Sequence, residues 1–91
     1  KPVQQFGICP FELSLSEEKV ELTVSFEQSF ANENFVIVAS TDHSACYAVI
    51  KEKREQEVIL EVIRTKFSPQ LLGHIHWIAI GECATGSGEE R

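Results

Sequence analysis

The sequence predicts an all-β protein, a six-stranded antiparallel β-sandwich, and three observations predict it. Residues 20–26 alternate strictly, with Val20, Leu22, Val24 and Phe26 on one side and Glu21, Thr23 and Ser25 on the other. Such a period of two is the mark of a half-buried strand. About six runs rich in β-branched and aromatic residues follow one another, separated by short polar turns, which is the spacing of a sandwich. The main helical rival, 52–66, carries Val58, Ile59, Val62 and Ile63, residues that favour a strand. With 91 residues, 43% of them hydrophobic and 24% charged, the chain suffices for one small domain burying roughly 60–65% of its unfolded surface.

The elements follow in order. Residues 3–9 have strand character, and Pro10 is expected to end the hydrogen-bonding ladder. Phe11 and Leu13 alternate with Glu12 and Ser14, so an edge strand resumes there. Ser14 stands three residues before Glu17, a helix-start pattern. The run is too short to propagate, so 14–18 is read as a turn. After the strand 20–26 comes a polar loop, 27–34, whose single aromatic, Phe30, is expected to tuck back against the sheet. Residues 35–41 form the next strand, and Asp42-His43-Ser44 a turn with local side-chain bonds to the backbone.

A strand over 45–51 and a charged turn over 52–56 lead to a strand over 57–64. There Val58, Leu60 and Val62 share one face, while Ile59 and Ile63 flank Glu61 on the other. That second apolar row needs a cover, which in an oligomer is an interface. Ser68-Pro69-Gln70 breaks the chain before its most apolar run, 73–81, which holds the only Trp and two of the three His. Gly73 and Gly81 are read as the points where the chain turns in and out. Ile78 and Ile80 face one side, Ile75, Trp77 and Ala79 the other, so this strand is expected to be buried on both faces. Trp77, the largest apolar side chain, is expected at the centre of the core. Residues 1–82 form the domain and 83–91 a flexible tail. The chain shows no initiator Met, signal peptide or membrane-length apolar stretch and is read as a piece cut from a longer protein.

Charge and cysteine count exclude several classes. A net charge of −6 without a basic stripe argues against nucleic acid. Cys9, Cys46 and Cys83 cannot all pair within one chain and lack a CxxC spacing, so reduced thiols are expected and no structural zinc. His74 and His76 lie two apart and emerge on one strand face, able to hold a metal if copies met on a three-fold axis. They are two ligands per chain without an adjacent carboxylate, so the preferred reading is a surface or interface pair. Cys46 near His43, and Asp42 beside His43, lack an orienting third group. No phosphate loop or paired acidic motif is present. An enzyme is not expected, nor a cofactor or metal.

Together Gln5-Phe6-Gly7, the alternating strand 20–26 with Phe30, the apolar strand 36–40 and the closing Trp77-Ile78-Ala79-Ile80-Gly81 resemble the H-type lectin fold, as used in C-terminal receptor-binding domains of phage tail fibres. The resemblance spans nearly the whole chain to Glu82. It implies a trimer that binds carbohydrate at its surface, placed on a virion tail fibre or otherwise outside the cell. The segment where sugar-binding members carry a Trp reads Ile63-Arg64-Thr65-Lys66-Phe67 here. Arg64 and Lys66 are therefore the expected ligand-binding residues, suited to hydroxyls or to an acidic glycan. Asp42, His43 and Tyr47 form a second expected polar group, with Tyr47 available to stack on a sugar ring. The expected function is a carbohydrate- or receptor-binding, adhesive tip domain; the alternative is a purely structural trimerisation module without a ligand.

Overall fold

The computed structural model describes residues 2–84. Six strands follow one another without a helix: β1 (Pro2–Glu12), β2 (Lys19–Ser25), β3 (Val36–Thr41), β4 (Cys46–Lys53), β5 (Glu57–Arg64) and β6 (Leu72–Glu82). They form two three-stranded antiparallel sheets, β1-β6-β3 and β2-β5-β4. The expected all-β, sandwich-like arrangement of six strands is what the chain adopts among the described residues. Every strand neighbour is distant in sequence except β4 and β5, so local turns alone cannot set the pairing.

The core lies between the sheets. Ile75 and Ala79 of β6 and Ile37 of β3 meet Val58, Leu60 and Val62 of β5 and Val24 of β2. Each is an alternate residue of its strand, so one face of each sheet is apolar and buried. Phe30 tucks in from the 27–34 loop as expected; it stacks on Phe35 at 4.4 Å between centroids and bridges to Cys83. Trp77 is not the centre: it packs on the margin of this cluster, half-buried, with its indole 5.7 Å from the Phe26 ring. The fully enclosed aromatics are Phe30 and Phe35.

Several local expectations change. Pro10 does not end β1, which runs through it to Glu12. An edge strand tolerates a missing N–H on its open side, and β1 is at the edge of its sheet. Gly73 and Gly81 are not turns; both lie inside β6 with inward-facing backbone. At Gly73 a Cβ would come within 2.6 Å of Phe11 Cζ, so close packing, not chain reversal, requires glycine there. The 14–18 turn forms as expected: Glu17 N–H donates to Ser14 O at 3.3 Å and Ser14 N–H to Glu17 Oε1 at 3.4 Å. At the end of β4 a bulge between Ile50 and Glu52 swings Lys53 inward. Its ammonium donates to Phe35 O at 2.7 Å. Of the tail assigned to 83–91, Cys83 bridges to Phe30 and Ala84 N–H donates to Ser29 O at 3.0 Å; residues 85–91 lie outside those described. The three cysteines are free thiols.

Candidate functional site

The five residues expected to bind ligand do not form one site. Arg64 ends β5 and continues the inward row of Val58, Leu60 and Val62. It is 8% exposed. Its Nη2 donates to Leu15 O at 3.0 Å and to Glu17 O, so it ties the 14–18 turn to β5. Nη1 is buried without a partner. The arginine expected to bind ligand is therefore a buried clamp. Among the described residues no carboxylate pairs with it; backbone carbonyls carry that role, with charge-assisted hydrogen bonds.

Lys66, two residues on, is exposed. Together Arg64, Thr65, Lys66 and Phe67 face the 15–18 segment across a recess of about 280 Å³, completed by Leu15, Ser16 and Glu18. Phe67 stands 74% exposed at its border. Among the described residues the recess thus presents the exposed ammonium of Lys66, the Phe67 ring, and the Ser16 and Glu18 side chains, while Arg64 Nη1 lies buried behind it. Such a mixture of a ring and a few polar groups is what a small polar ligand uses.

Asp42, His43 and Tyr47 part company. His43 is 2% exposed. Its Nδ1 accepts from Ala45 N–H at 3.1 Å, which leaves Nε2 as the donor to Gln70 O at 2.8 Å. Both ring nitrogens are spent on backbone, so His43 cannot meet a ligand. Tyr47 stands 49% exposed on the outer face of the opposite sheet, across from Ile63. Asp42 turns toward β6: its carboxylate accepts His74 N–H at 2.8 Å and pairs with His74 Nδ1 at 3.0 Å. The backbone hydrogen bond from His74 is the largest cause holding the Asp42 carboxyl below its ordinary range, helped by the His74 side chain. The expected local bond of the 42–44 turn falls to Thr41, whose Oγ1 accepts His43 N–H at 2.8 Å.

His74 and His76 do share the outer face of β6, and Asp42 stands beside them, 4.0 Å from His76 Nε2. Among the described residues no three His, Cys, Asp or Glu side chains form a group that could hold a metal ion. Nor, among them, is any helix long and apolar enough to cross a membrane.

What the sequence reading missed is the outer face of the β1-β6-β3 sheet. Phe6, Ile78 and Val38 lie in one cross-strand row, flanked by the rows Gln4, Ile80, Val36 and Ile8, His76, Ser40. Phe6, Ile8, Val36, Val38 and Ile80 are all exposed. None of these nine positions carries Asp, Glu, Lys or Arg, in a chain of net charge −6. The row expected to need a cover, Ile59 and Ile63, is half-buried and set among Lys19, Glu21, Glu61 and Lys51, with Lys51 and Glu21 forming an ion pair. β6 is accordingly buried on one face only. The signal for the uncovered face was present in Phe6, Ile8, Ile78 and Ile80, each of the parity opposite to the buried residues; which strands lie beside β6 was not.

Compared with protein-family models, with characterised proteins and with solved structures, the chain matches none.

Proposed function

We propose that this chain is a self-associating binding domain: a trimeric, adhesive tip of the kind carried on phage-type tail fibres, holding a cell-surface glycan or similar receptor. The observation that carries the binding part is the recess where Lys66 and Phe67 stand exposed opposite Ser16 and Glu18. Assembly is supported by the apolar centre of the β1-β6-β3 outer face, where Phe6, Ile8, Val36, Val38 and Ile80 stand exposed together without an Asp, Glu, Lys or Arg among the three central rows. The trimer, the fibre and the glycan come from the H-type lectin resemblance. In this reading three weak sites on one rigid body give firm attachment through avidity.

The test pairs light scattering of the purified domain with a glycan-array screen of the wild type and Lys66→Ala. Lys66 makes no hydrogen bond or ion pair among the described residues, so its loss leaves the fold intact and reports on the recess alone. A trimer whose glycan binding falls in Lys66→Ala supports the proposal; a stable monomer, or binding indifferent to Lys66, sinks it. Arg64→Ala is unsuited as a binding probe because it also releases the 14–18 turn. The second reading, a structural trimerisation module, is favoured by the scatter of Asp42, His43 and Tyr47 over three different environments. It predicts a trimer with no glycan bound.

A further inference from the structure

A second recess, of about 430 Å³, opens where the edge strands β1 and β2 pass one another, and Gln4, Gln5, Phe6, Ser25, Glu27 and Trp77 line it. Gln5 is committed to holding its shape. Its Nε2 donates to Gln28 O at 2.9 Å and its Oε1 accepts Gln28 N–H at 3.2 Å, which pins the segment after β2 onto β1. The remaining polar groups are uncommitted: the side chains of Gln4, Ser25 and Glu27 have no partner among the described residues. Trp77 brings an unmet need of its own. Its indole lies across Gly7, the residue opposite it in the sheet, with Nε1 and Cζ2 each 3.1 Å from where a Cβ on residue 7 would sit. That Nε1–H is buried without an acceptor. A buried donor left unpaired costs about 1–3 kcal/mol, so a group that satisfies it is favoured.

The chemistry of the lining narrows the ligand. One carboxylate and no cation face the recess, which disfavours anions. An amide, a hydroxyl and a carboxylate beside aromatic rings match a ligand that is apolar on its ring face and rich in hydroxyls at its rim. The volume falls within the usual range for small-molecule sites. We propose that this recess is a subsite for a neutral saccharide ring. Trp77 and Phe6 supply the apolar wall, Glu27 and Gln4 bond vicinal hydroxyls, and a ligand oxygen becomes the missing acceptor of the Trp77 N–H. Because Nε1 has no exposed surface, that last bond forms only as the indole tilts, so occupancy alters the environment of the only tryptophan in the chain. The subsite shares no residue with the Arg64–Lys66 recess, so the two are tested apart; it draws Gln4 and Phe6 from the outer-face rows at the β1 edge and is open only where self-association leaves that edge uncovered.

The experiment is a tryptophan-emission titration of the full chain, after light scattering has fixed its mass, with glucose, galactose, mannose, N-acetylglucosamine and lactose to high millimolar concentration. A saturable change with at least one of these is expected. It should weaken about tenfold or more in Glu27→Ala and in Gln4→Ala, as loss of a hydrogen bond to a desolvated ligand implies. Both variants change exposed side chains, and an unchanged circular dichroism spectrum verifies their fold. Lys66→Ala should leave the titration unaltered, which separates this subsite from the other recess. The inference is overturned by no saturable change with any of the five sugars, by equal affinity in the Glu27 and Gln4 variants, or by loss of the signal in Lys66→Ala.

Discussion

Arg64 Nη2 stands 3.0 Å from the carbonyl oxygen of Leu15 and also donates to that of Glu17, joining the end of β5 to a turn almost fifty residues earlier. The guanidinium is buried and has no carboxylate partner among the described residues, so its worth lies in these charge-assisted bonds to backbone, each about 1.5–3 kcal/mol. Arg64→Ala is therefore expected to cost about 3 kcal/mol, read as a fall in the urea midpoint. Arg64→Met keeps the stem packed and removes the unpartnered Nη1; its cost should be smaller, about 1–2 kcal/mol, because the turn's carbonyls can take water instead. Amide exchange over 14–18 should quicken in both. Equal costs would mean that the aliphatic stem contributes nothing.

His43 is a similar device on the other side of the fold. With Nδ1 accepting from Ala45 and Nε2 donating to Gln70 O, its ring replaces strand pairing that the 42–45 and 68–71 segments lack. Removing it leaves a buried N–H and a C=O unpaired beside Phe11 and Gly73. His43→Ala should destabilise the protein by about 2–4 kcal/mol by chemical denaturation. A change below about 0.5 kcal/mol would show that water takes both partners at no cost.

How much of this was legible follows from parity. The limits of β5, 57–64, and the alternation of β2 were readable because a period of two needs only one strand to be seen. The same parity places Arg64 inward after Val58, Leu60 and Val62 and Tyr47 outward between Cys46 and Ala48; the binding role expected of Arg64 rests on the resemblance and not on that parity. From sequence Pro10 reads as a stop, because edge and interior strands cannot be told apart without the sheet order. The Phe6–Ile78–Val38 row and the Gln4–Phe6–Glu27 recess needed knowledge that β1 and β3 flank β6 and that β1 passes β2. Those are long-range choices that no local pattern carries.

The three central rows of the β1-β6-β3 outer face, which carry no Asp, Glu, Lys or Arg, yield a contrast between two sheets. Val38→Asp or Phe6→Asp places a charge at one end of the central apolar row, where self-association would desolvate it. Either should reduce an assembled species to monomer by light scattering while the circular dichroism spectrum holds. Ile63→Asp on the other sheet, set opposite Lys19 and Tyr47, should leave the mass unchanged. If Ile63→Asp dissociates the assembly and the sheet-one variants do not, the interface has been placed on the wrong face.

Asp42 gives a pH signature with a defined sign. Its carboxyl is held below the ordinary aspartate value of 3.8, first by the backbone N–H of His74 and then by the His74 side chain. A carboxylate depressed in the folded state contributes stability that is fully present above its unfolded pKa and is lost as pH falls through the folded one. The bond joining the turn after β3 to β6 should therefore be insensitive near neutrality and weaken only in acid, below 3.8. Asp42→Asn should flatten that acid limb in a urea-midpoint profile. His74→Gln keeps the backbone donor and removes only the imidazole, so the Asp42 carboxyl, followed by its NMR titration, should remain below its ordinary value. A return of Asp42 to that value in His74→Gln would assign the effect to the imidazole and not to the backbone bond.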